Sequence, residues 1–184
     1  LECKGCKSEC PSGVDMAKLK YDFLNLYHKK NGQTLRNHIF GNIALLSKLG
    51  SITTPISNWV LQSPLMKELL EKYAGIDKRR EMPRFSKTTF IQWYKSRNSH
   101  LEQPKGKVVL FPDTFTNYNH PEIGKSAVKL LEALGYEVEI PDVKCCGRPM
   151  LSSGMMDKAK KHVQYNIKSL YTHVSQGKKL IGLE

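Results

Sequence analysis

The sequence lacks several patterns that would assign it to a common functional class. No apolar run approaches the roughly 18 consecutive residues of a membrane-spanning helix. A glycine-rich phosphate loop, a Gly-x-Ser-x-Gly turn and a carboxylate pair at catalytic spacing are all missing. None of the six histidines forms a metal-spaced pair with another. These absences argue against a membrane span, a P-loop nucleotide site, a serine hydrolase and a histidine-based zinc site.

Cysteine is scarce and unevenly distributed. The chain has five cysteines in 184 residues, and they are Cys3, Cys6, Cys10, Cys145 and Cys146. A small secreted protein held together by disulfides has more cysteines, spread through the chain. The clustering therefore predicts a reducing, cytoplasmic environment in which the thiols are kept for metal.

Acidic residues are too few to balance the basic ones. The formal net charge is +12, and most of the surplus falls in residues 1–106. Nucleic acid, an anionic membrane surface and an acidic redox partner all suit such a surface. A solvated face on a soluble domain is the simplest interpretation, so charge alone does not assign a partner.

The most informative pattern that is present is Cys3-x2-Cys6-x3-Cys10-Pro11. It matches the last three ligands and the proline of the C-x2-C-x2-C-x3-C-P run that holds a 4Fe–4S cluster. The first ligand of that run would fall just before Leu1, so we expect a piece of a longer redox protein whose cluster is absent or incomplete when the piece is isolated. In a two-cluster arrangement, Cys3 and Cys6 would share one cluster and Cys10 would complete another. A zinc site and unligated thiols are the alternatives.

The second pattern is the adjacent pair Cys145-Cys146 followed by Gly147. Side chains of neighbouring residues normally diverge, so a ligand pair requires an unusual turn, which a glycine eases. Two buried thiols and a strained vicinal disulfide are the alternatives, and the residue types alone leave all three open.

Apolar periodicity divides the chain into two zones. Residues 1–106 are predicted to form the cysteine loop followed by helices, and residues 107–184 to alternate strand and helix. The predicted strands cover 107–111, 136–140 and 179–183. This order predicts an α/β fold with a Rossmann-like parallel β-α-β-α-β sheet and right-handed crossovers. Because functional loops gather at the carboxyl ends of such strands, we expect residues 113–119 and 145–150 to lie there.

Capping residues and glycines predict where the helices begin and end. In the first zone, helices are predicted over 15–31, 34–50 and 64–75, with a short aromatic helix near Phe90. In the second zone, one helix should run from Pro121 to Gly135. Ser152 or Ser153 is expected to cap a long final helix. Its predicted apolar stripe is Ala159, Val163, Ile167, Leu170 and Val174.

Together these motifs resemble the C-terminal iron–sulfur region of large FAD-linked oxidases similar to D-lactate and D-2-hydroxyglutarate dehydrogenases. The resemblance covers nearly the whole chain. The segments that carry it are 3–20, 75–77, 89–90, VLFPDTFTNY at 109–118 and CCGRP at 145–149. The last zone resembles the cysteine-rich domain named for its Cys-Cys-Gly signature, which also occurs in heterodisulfide reductase, glycolate oxidase and anaerobic glycerol-3-phosphate dehydrogenase subunits.

The resemblance implies a three-part organisation. Residues 1–31 would be a truncated ferredoxin-like 4Fe–4S segment with its following helix, and residues 32–106 a helical linker. Residues 107–184 would be a Cys-Cys-Gly α/β domain, truncated at its C-terminal end. Related domains often have a cysteine at the position of Thr114 and another just after Glu184, so this chain departs from the pattern at both places.

The resemblance also implies site residues. Cys3, Cys6 and Cys10 would be iron–sulfur ligands in the parent protein. Cys145 and Cys146 would be metal ligands of a second site. Gly147 and Thr114 would lie in the loops around that second site.

The implied function is electron transfer. In the parent enzyme, FAD would take a hydride from a 2-hydroxy acid such as D-lactate or D-2-hydroxyglutarate, and electrons would leave singly through the clusters. The partners would be a flavin domain or flavoprotein subunit and a quinone or soluble carrier, with no nucleic acid expected. The chain alone should lack dehydrogenase activity, and it should be cytoplasmic or peripheral at the inner face of the membrane. A zinc-stabilised nucleic-acid-binding module and a structural domain with idle cysteines are the alternatives.

Overall fold

A computed structural model describes residues 5–97, 101 and 103–183, with Cys6 described by its backbone only. The helices are α1 (Gly5–Ser8), α2 (Met16–Asn31), α3 (Leu35–Gly41), α4 (Ile43–Ile52), α5 (Ile56–Gln62), α6 (Pro64–Ala74), α7 (Phe90–Lys95), α8 (Thr114–Tyr118), α9 (Pro121–Ala133), α10 (Arg148–Ser152) and α11 (Met156–Val174). The strands are β1 (Gly106–Leu110), β2 (Tyr136–Glu139) and β3 (Lys179–Ile181). We call residues 5–97 the helical region and residues 103–183 the α/β region.

The helices of the helical region begin and end largely where local chemistry requires. The Asp15 carboxylate accepts the N–H three residues later at 2.9 Å, which fixes the start of α2. Ser63 caps α6 in the same way, and Pro64 occupies the first helical position, where its missing N–H has no cost. Gly75 then takes the left-handed conformation, with φ +62°, that ends α6. The predicted helices over 15–31 and 64–75 are therefore confirmed.

The single helix predicted over 34–50 is wrong. Asn42 leaves helical geometry and separates α3 from α4. Its side-chain amide donates to the His38 carbonyl at 2.7 Å, so the side chain competes with the backbone for a helical acceptor. The result is a break in an otherwise uniform apolar pattern.

The predicted cap at Ser152 or Ser153 is also wrong. Ser152 is the last residue of the short helix α10, and the N–H of Ser153 donates to the Pro149 carbonyl at 3.1 Å. Gly154, at φ +69°, turns the chain before α11 begins at Met156. Two helices therefore stand where one was predicted.

The sheet has the parallel topology that the sequence predicts. Its strand order is β2-β1-β3, with Val108 of β1 opposite Val138 of β2 and Lys179 of β3. Helices α8 and α9 join β1 to β2, and helices α10 and α11 join β2 to β3, which lies on the other side of β1. Strands β2 and β3 therefore lie on opposite sides of β1. In parallel sheets with such a reversal of strand order, ligands bind in the crevice beyond the carboxyl ends of the strands where the reversal occurs.

The core lies around this sheet. It contains Phe90, Val108, Leu110, Val128 and Val138, all buried. Phe90 comes from α7, so the helical region supplies a central residue of the sheet's core. The helical region also packs on the α/β region where α4 contacts α8 and α3 contacts α10.

No helix among the described residues combines the length and apolar character needed to cross a membrane.

The two tryptophans have different surroundings. Trp93 packs against the core, whereas Trp59 is 76% exposed. Trp93 therefore contributes to the core, and Trp59 lies at the surface.

Candidate functional site at the Cys-Cys-Gly loop

The N-terminal cysteine motif lies partly outside the described residues. Cys3 precedes them, and the side chain of Cys6 is not described. Cys10 is half-buried after α1, and its carbonyl accepts the N–H of Gly13 at 3.1 Å. The assignment of these three cysteines as cluster ligands stays a prediction.

The second cysteine pair lies in the loop that follows β2. Cys145 is half-buried and Cys146 is exposed, and no disulfide joins them. The alternatives of two buried thiols and a vicinal disulfide are therefore wrong for this structure. The pair is a partly accessible dithiol at the carboxyl edge of the sheet.

Gly147 makes the unusual turn that two neighbouring thiols require. Its φ of +87° lies in the left-handed region, where a side chain would be strained. The Gly147 N–H also hydrogen-bonds to the Cys145 sulfur. The glycine thus turns the chain into α10 and supplies a backbone donor to the first thiol.

The loop after β1 brings Thr114 to the same place. Asp113 caps α8 by accepting the N–H groups of Phe115 and Thr116 at 2.8 and 3.0 Å. Thr114 is the first residue of that helix, and its side chain hydrogen-bonds to Cys145. The two loops predicted to gather at the carboxyl ends of the strands do meet there, through Thr114 and Cys145.

Asn166 of α11 fixes the backbone of the cysteine loop through hydrogen bonds. This buried amide accepts the Lys144 N–H at 2.7 Å and donates to the Lys144 carbonyl at 3.0 Å. Ser169 of the same helix donates to the Asp142 carbonyl at 2.7 Å. These contacts satisfy the backbone of a segment that has left the sheet.

The surroundings of Cys145 favour its thiolate. The hydrogen bond with the Cys146 side chain is the largest influence, and it lowers the pKa of Cys145 to about 5 although burial opposes the shift. The Gly147 N–H, the Thr114 side chain and the charge of His162 act in the same direction. A thiolate at neutral pH is the form of cysteine that binds metal or attacks an electrophile.

Two cavities meet at Cys145. The first has a volume of about 360 Å³ and borders both thiols, Thr114 and Arg148. The second has a volume of about 440 Å³ and borders Cys145, Thr114 and His162. Cys145, Thr114 and Asp113 therefore form part of the wall common to both cavities.

The described part of this site offers fewer metal-binding side chains than a metal ion or an iron–sulfur cluster requires. Within residues 5–97, 101 and 103–183, no three His, Cys, Asp or Glu side chains converge closely enough to hold a metal ion. Cys145 and Cys146 supply two sulfur donors, and Thr114 supplies a hydroxyl where a third thiolate would suit iron or zinc. The described residues of this site therefore do not by themselves fit a cluster or metal.

Sequence reasoning missed two residues of this site, Asn166 and His162. The predicted apolar stripe of α11 is only partly right, because Ala159 is buried but Ile167 is 60% exposed, and the buried Asn166 was not included in it. A polar residue seven positions after a buried alanine lies on the same helix face. That spacing is the signal that could have identified Asn166.

Comparison with known proteins now identifies the class of domain. Residues 108–179 match the family model described as the cysteine-rich domain, CCG. The matched range contains β2, both site loops and α11.

The relatives extend the similarity beyond that domain. One subunit of the anaerobic glycerol-3-phosphate dehydrogenase of Escherichia coli (strain K12) is 34% identical over 158 residues, which cover 85% of this chain and 38% of the relative. D-2-hydroxyglutarate dehydrogenase of the same organism is 25% identical over 195 residues, which cover 100% of this chain and 19% of the relative. Lactate utilization protein A of Bacillus cytotoxicus is 36% identical over 64 residues, 34% of this chain and 27% of the relative. No solved structure matches the chain.

Proposed function

We propose that this chain is the electron-transfer portion of a flavin-linked oxidoreductase that oxidises a 2-hydroxy acid such as D-2-hydroxyglutarate or D-lactate. The observation that carries the proposal is the cysteine-rich domain at 108–179 together with similarity to dehydrogenases along the chain. The chain spans 38% and 19% of the first relatives described above, so it corresponds to a part of each.

The chemistry of the motif at Cys3, Cys6 and Cys10 supports this role. Thiolates are soft donors that suit iron–sulfur clusters, and the spacing with Pro11 is that of a 4Fe–4S ligand run. When bound, such a cluster supplies one-electron transfer. FAD would lie in a flavin domain of the parent chain or in a flavoprotein subunit. The final acceptor would be a quinone or a soluble carrier.

The names of the relatives support the substrate class. D-2-hydroxyglutarate and glycerol 3-phosphate are both anions with a hydroxyl group on a secondary carbon. The 2-hydroxy acid is preferred here because the D-2-hydroxyglutarate dehydrogenase alignment covers 100% of this chain. The hydride step belongs to the flavin, so we expect no turnover of the acid by this chain alone.

The same proposal includes the organisation and location of the chain. Residues 1–31 would carry the cluster segment, residues 32–106 would connect it, and residues 107–184 would form the Cys-Cys-Gly domain. The parent enzyme would work in the cytoplasm or at the inner face of the membrane, where a quinone acceptor is accessible.

Anaerobic iron and acid-labile sulfide analysis of the full-length parent tests the proposal, with electron paramagnetic resonance after addition of D-2-hydroxyglutarate or D-lactate. We expect iron and sulfide in near-equal amounts and a signal that the substrate induces. Cys6→Ser should lower the iron and sulfide content and weaken the signal, because it removes a ligand of one cluster. Ser8→Ala is the matched control, because Ser8 lies in the same segment between Cys6 and Cys10 and is not one of its cysteines. Zinc without sulfide, or a cluster that survives Cys6→Ser unchanged, would contradict the proposal.

A further inference from the structure

The second cavity at Cys145 has a chemistry that the proposed function does not use. It lies beyond the carboxyl end of β1, between α4 and α11, and its volume is about 440 Å³. Its lining includes the basic residues Lys48, Lys144, Lys158 and His162, the carboxylate of Asp113, and Cys145, whose surroundings favour the thiolate. Basic residues therefore outnumber the acidic groups in this lining.

The positive charge of these lysines is not neutralised by ion pairs within the described part of the protein. Lys48, Lys144 and Lys158 form no ion pair with any described carboxylate. Lys158 donates instead to the neutral side-chain oxygen of Asn42. The carboxylate of Asp113 already accepts hydrogen bonds at the start of α8.

His162 adds a second, independent observation. Its Nδ1 atom is shielded from solvent and has no hydrogen-bond partner in the described part of the protein. A buried polar atom without a partner is destabilising by roughly 1–3 kcal/mol, and such atoms often mark ligand sites. His162 and Lys158 are both lining residues of this cavity.

The remaining wall is apolar. Leu45, Ile91, Pro112, Val143 and Met150 are among its lining residues. A cavity of this size with apolar walls and a few convergent polar groups is typical of a small-molecule site. The apolar wall favours an organic anion over an inorganic one, because a carbon skeleton can bury surface there.

We propose that this cavity binds a small organic carboxylate beside Cys145. The carboxylate contacts Lys158 and His162, and its carbon skeleton lies against Leu45 and Ile91. Thr114 and Cys145 form the end of the cavity that is common to the first cavity. This binding site goes beyond the proposed function, because it requires neither flavin nor cluster.

Isothermal titration of the protein with benzoate, and separately with its uncharged analogue benzamide, tests the proposal. We expect benzoate to bind and benzamide to bind at least roughly tenfold more weakly, since a charge-assisted hydrogen bond is lost. Lys158→Met should weaken benzoate binding by a similar factor. Lys160→Met is the matched control, because Lys160 is exposed on the same helix and lies outside the cavity lining.

A second variant and a second measurement keep the test decisive. His162→Asn should also weaken benzoate binding, and it serves if Lys158→Met does not fold. Bound benzoate should slow the alkylation of Cys145 by N-ethylmaleimide, measured by mass spectrometry, without slowing that of Cys10. Equal binding of benzoate and benzamide, equal loss in Lys160→Met, or phosphate binding as tightly as benzoate would each overturn the proposal.

Discussion

The helical region and the α/β region enclose their apolar side chains very differently. Val109 and Leu110 in the α/β region are completely buried, whereas Leu26 and Trp59 in the helical region are 68% and 76% exposed. A parallel sheet is covered on both faces, while a helix buries one stripe and only where a neighbour covers it. The comparison teaches that the fold's stability is concentrated around the sheet, although about half of the chain is helical region.

Both regions combine local helix caps with long-range polar contacts that hold loops. In the helical region, Asp15 and Ser63 bond to N–H groups three residues away, and Asn58 bonds to the Phe85 backbone across 27 positions. In the α/β region, Asn166 bonds to the Lys144 backbone across 22 positions. The two regions therefore differ in the burial of their apolar side chains and not in the range of their polar contacts.

The largest effect is expected from Phe90→Ala, which tests whether α7 belongs energetically to the α/β region. Removal of this completely buried ring should lower the free energy of unfolding by about 3–5 kcal/mol. Trp59→Ala is the matched aromatic control and should change it by less than about 0.5 kcal/mol. Denaturant unfolding measures both. Similar losses for the two variants would mean that Trp59 is covered in solution and would remove the contrast.

The next largest effect is expected from Asn166→Ala. It leaves the N–H and carbonyl of Lys144 without their side-chain partner, so the free energy of unfolding should fall by about 1–3 kcal/mol. Alkylation of Cys145 should also become faster, because the loop is no longer held. Asn31→Ala, at an exposed asparagine of the helical region, is the control and should leave both measurements nearly unchanged. An unchanged alkylation rate in Asn166→Ala would show that other contacts position the loop.

A smaller effect is expected from helix caps. Asp113→Ala removes the acceptor of two backbone N–H groups at α8 and should cost about 1–2 kcal/mol of unfolding free energy. Ser63→Ala removes one, at 3.3 Å, and should cost about 0.5–1 kcal/mol. Thermal unfolding of both variants measures the difference. The reverse order would show that the cap of α6 matters more than the cap beside Cys145.

The smallest effect is expected from pH acting on Glu139. Burial raises the pKa of Glu139, but the hydrogen bonds from Lys178 and His173 and the charge of Lys107 outweigh it, so the pKa is lowered from 4.5. A carboxyl with a lowered pKa stabilises the fold fully above its unfolded value, and the stabilisation disappears as pH falls through the folded value.

The protein should therefore become less stable as the pH falls from about 5 to about 3, and Glu139→Gln should reduce this dependence. Glu68→Gln, an exposed carboxyl of the helical region, is the control and should preserve the wild-type profile. Thermal unfolding across this pH range checks both variants. Identical profiles for wild type and Glu139→Gln would show that Glu139 is not responsible.

The sequence predicted the parts of the fold that local pattern or sheet physics determines. The parallel β-α-β-α-β order, α2 and α6 follow from apolar periodicity and from caps such as Asp15. The short helices α8 and α10 were missed because five residues contain too little of the 3.6-residue period to be recognised. The break at Asn42 was missed because it depends on a side chain competing for a backbone acceptor.

The sequence identified the central residues of the site, Cys145 and Thr114, but not the residues of α11 that surround them. Strand order placed the loops 113–119 and 145–150 at one edge of the sheet, and in the structure Thr114 and Cys145 of these loops are in contact. Asn166 and His162 come from a helix whose rotation about its axis depends on tertiary packing. A periodicity argument that counted only apolar residues included the exposed Ile167 and Val174 and left out the buried Asn166.

The amide of Asn166 has one more consequence. By accepting one backbone N–H and donating to the carbonyl of the same residue, this side chain imitates the edge of a neighbouring strand. The loop can therefore have an irregular path while the backbone N–H and carbonyl of Lys144 keep hydrogen-bond partners. Because the backbone before Cys145 and Cys146 is held by these hydrogen bonds, the two thiols have little freedom to move when a charge develops beside them. Polar groups that are already in position need little rearrangement to stabilise that charge.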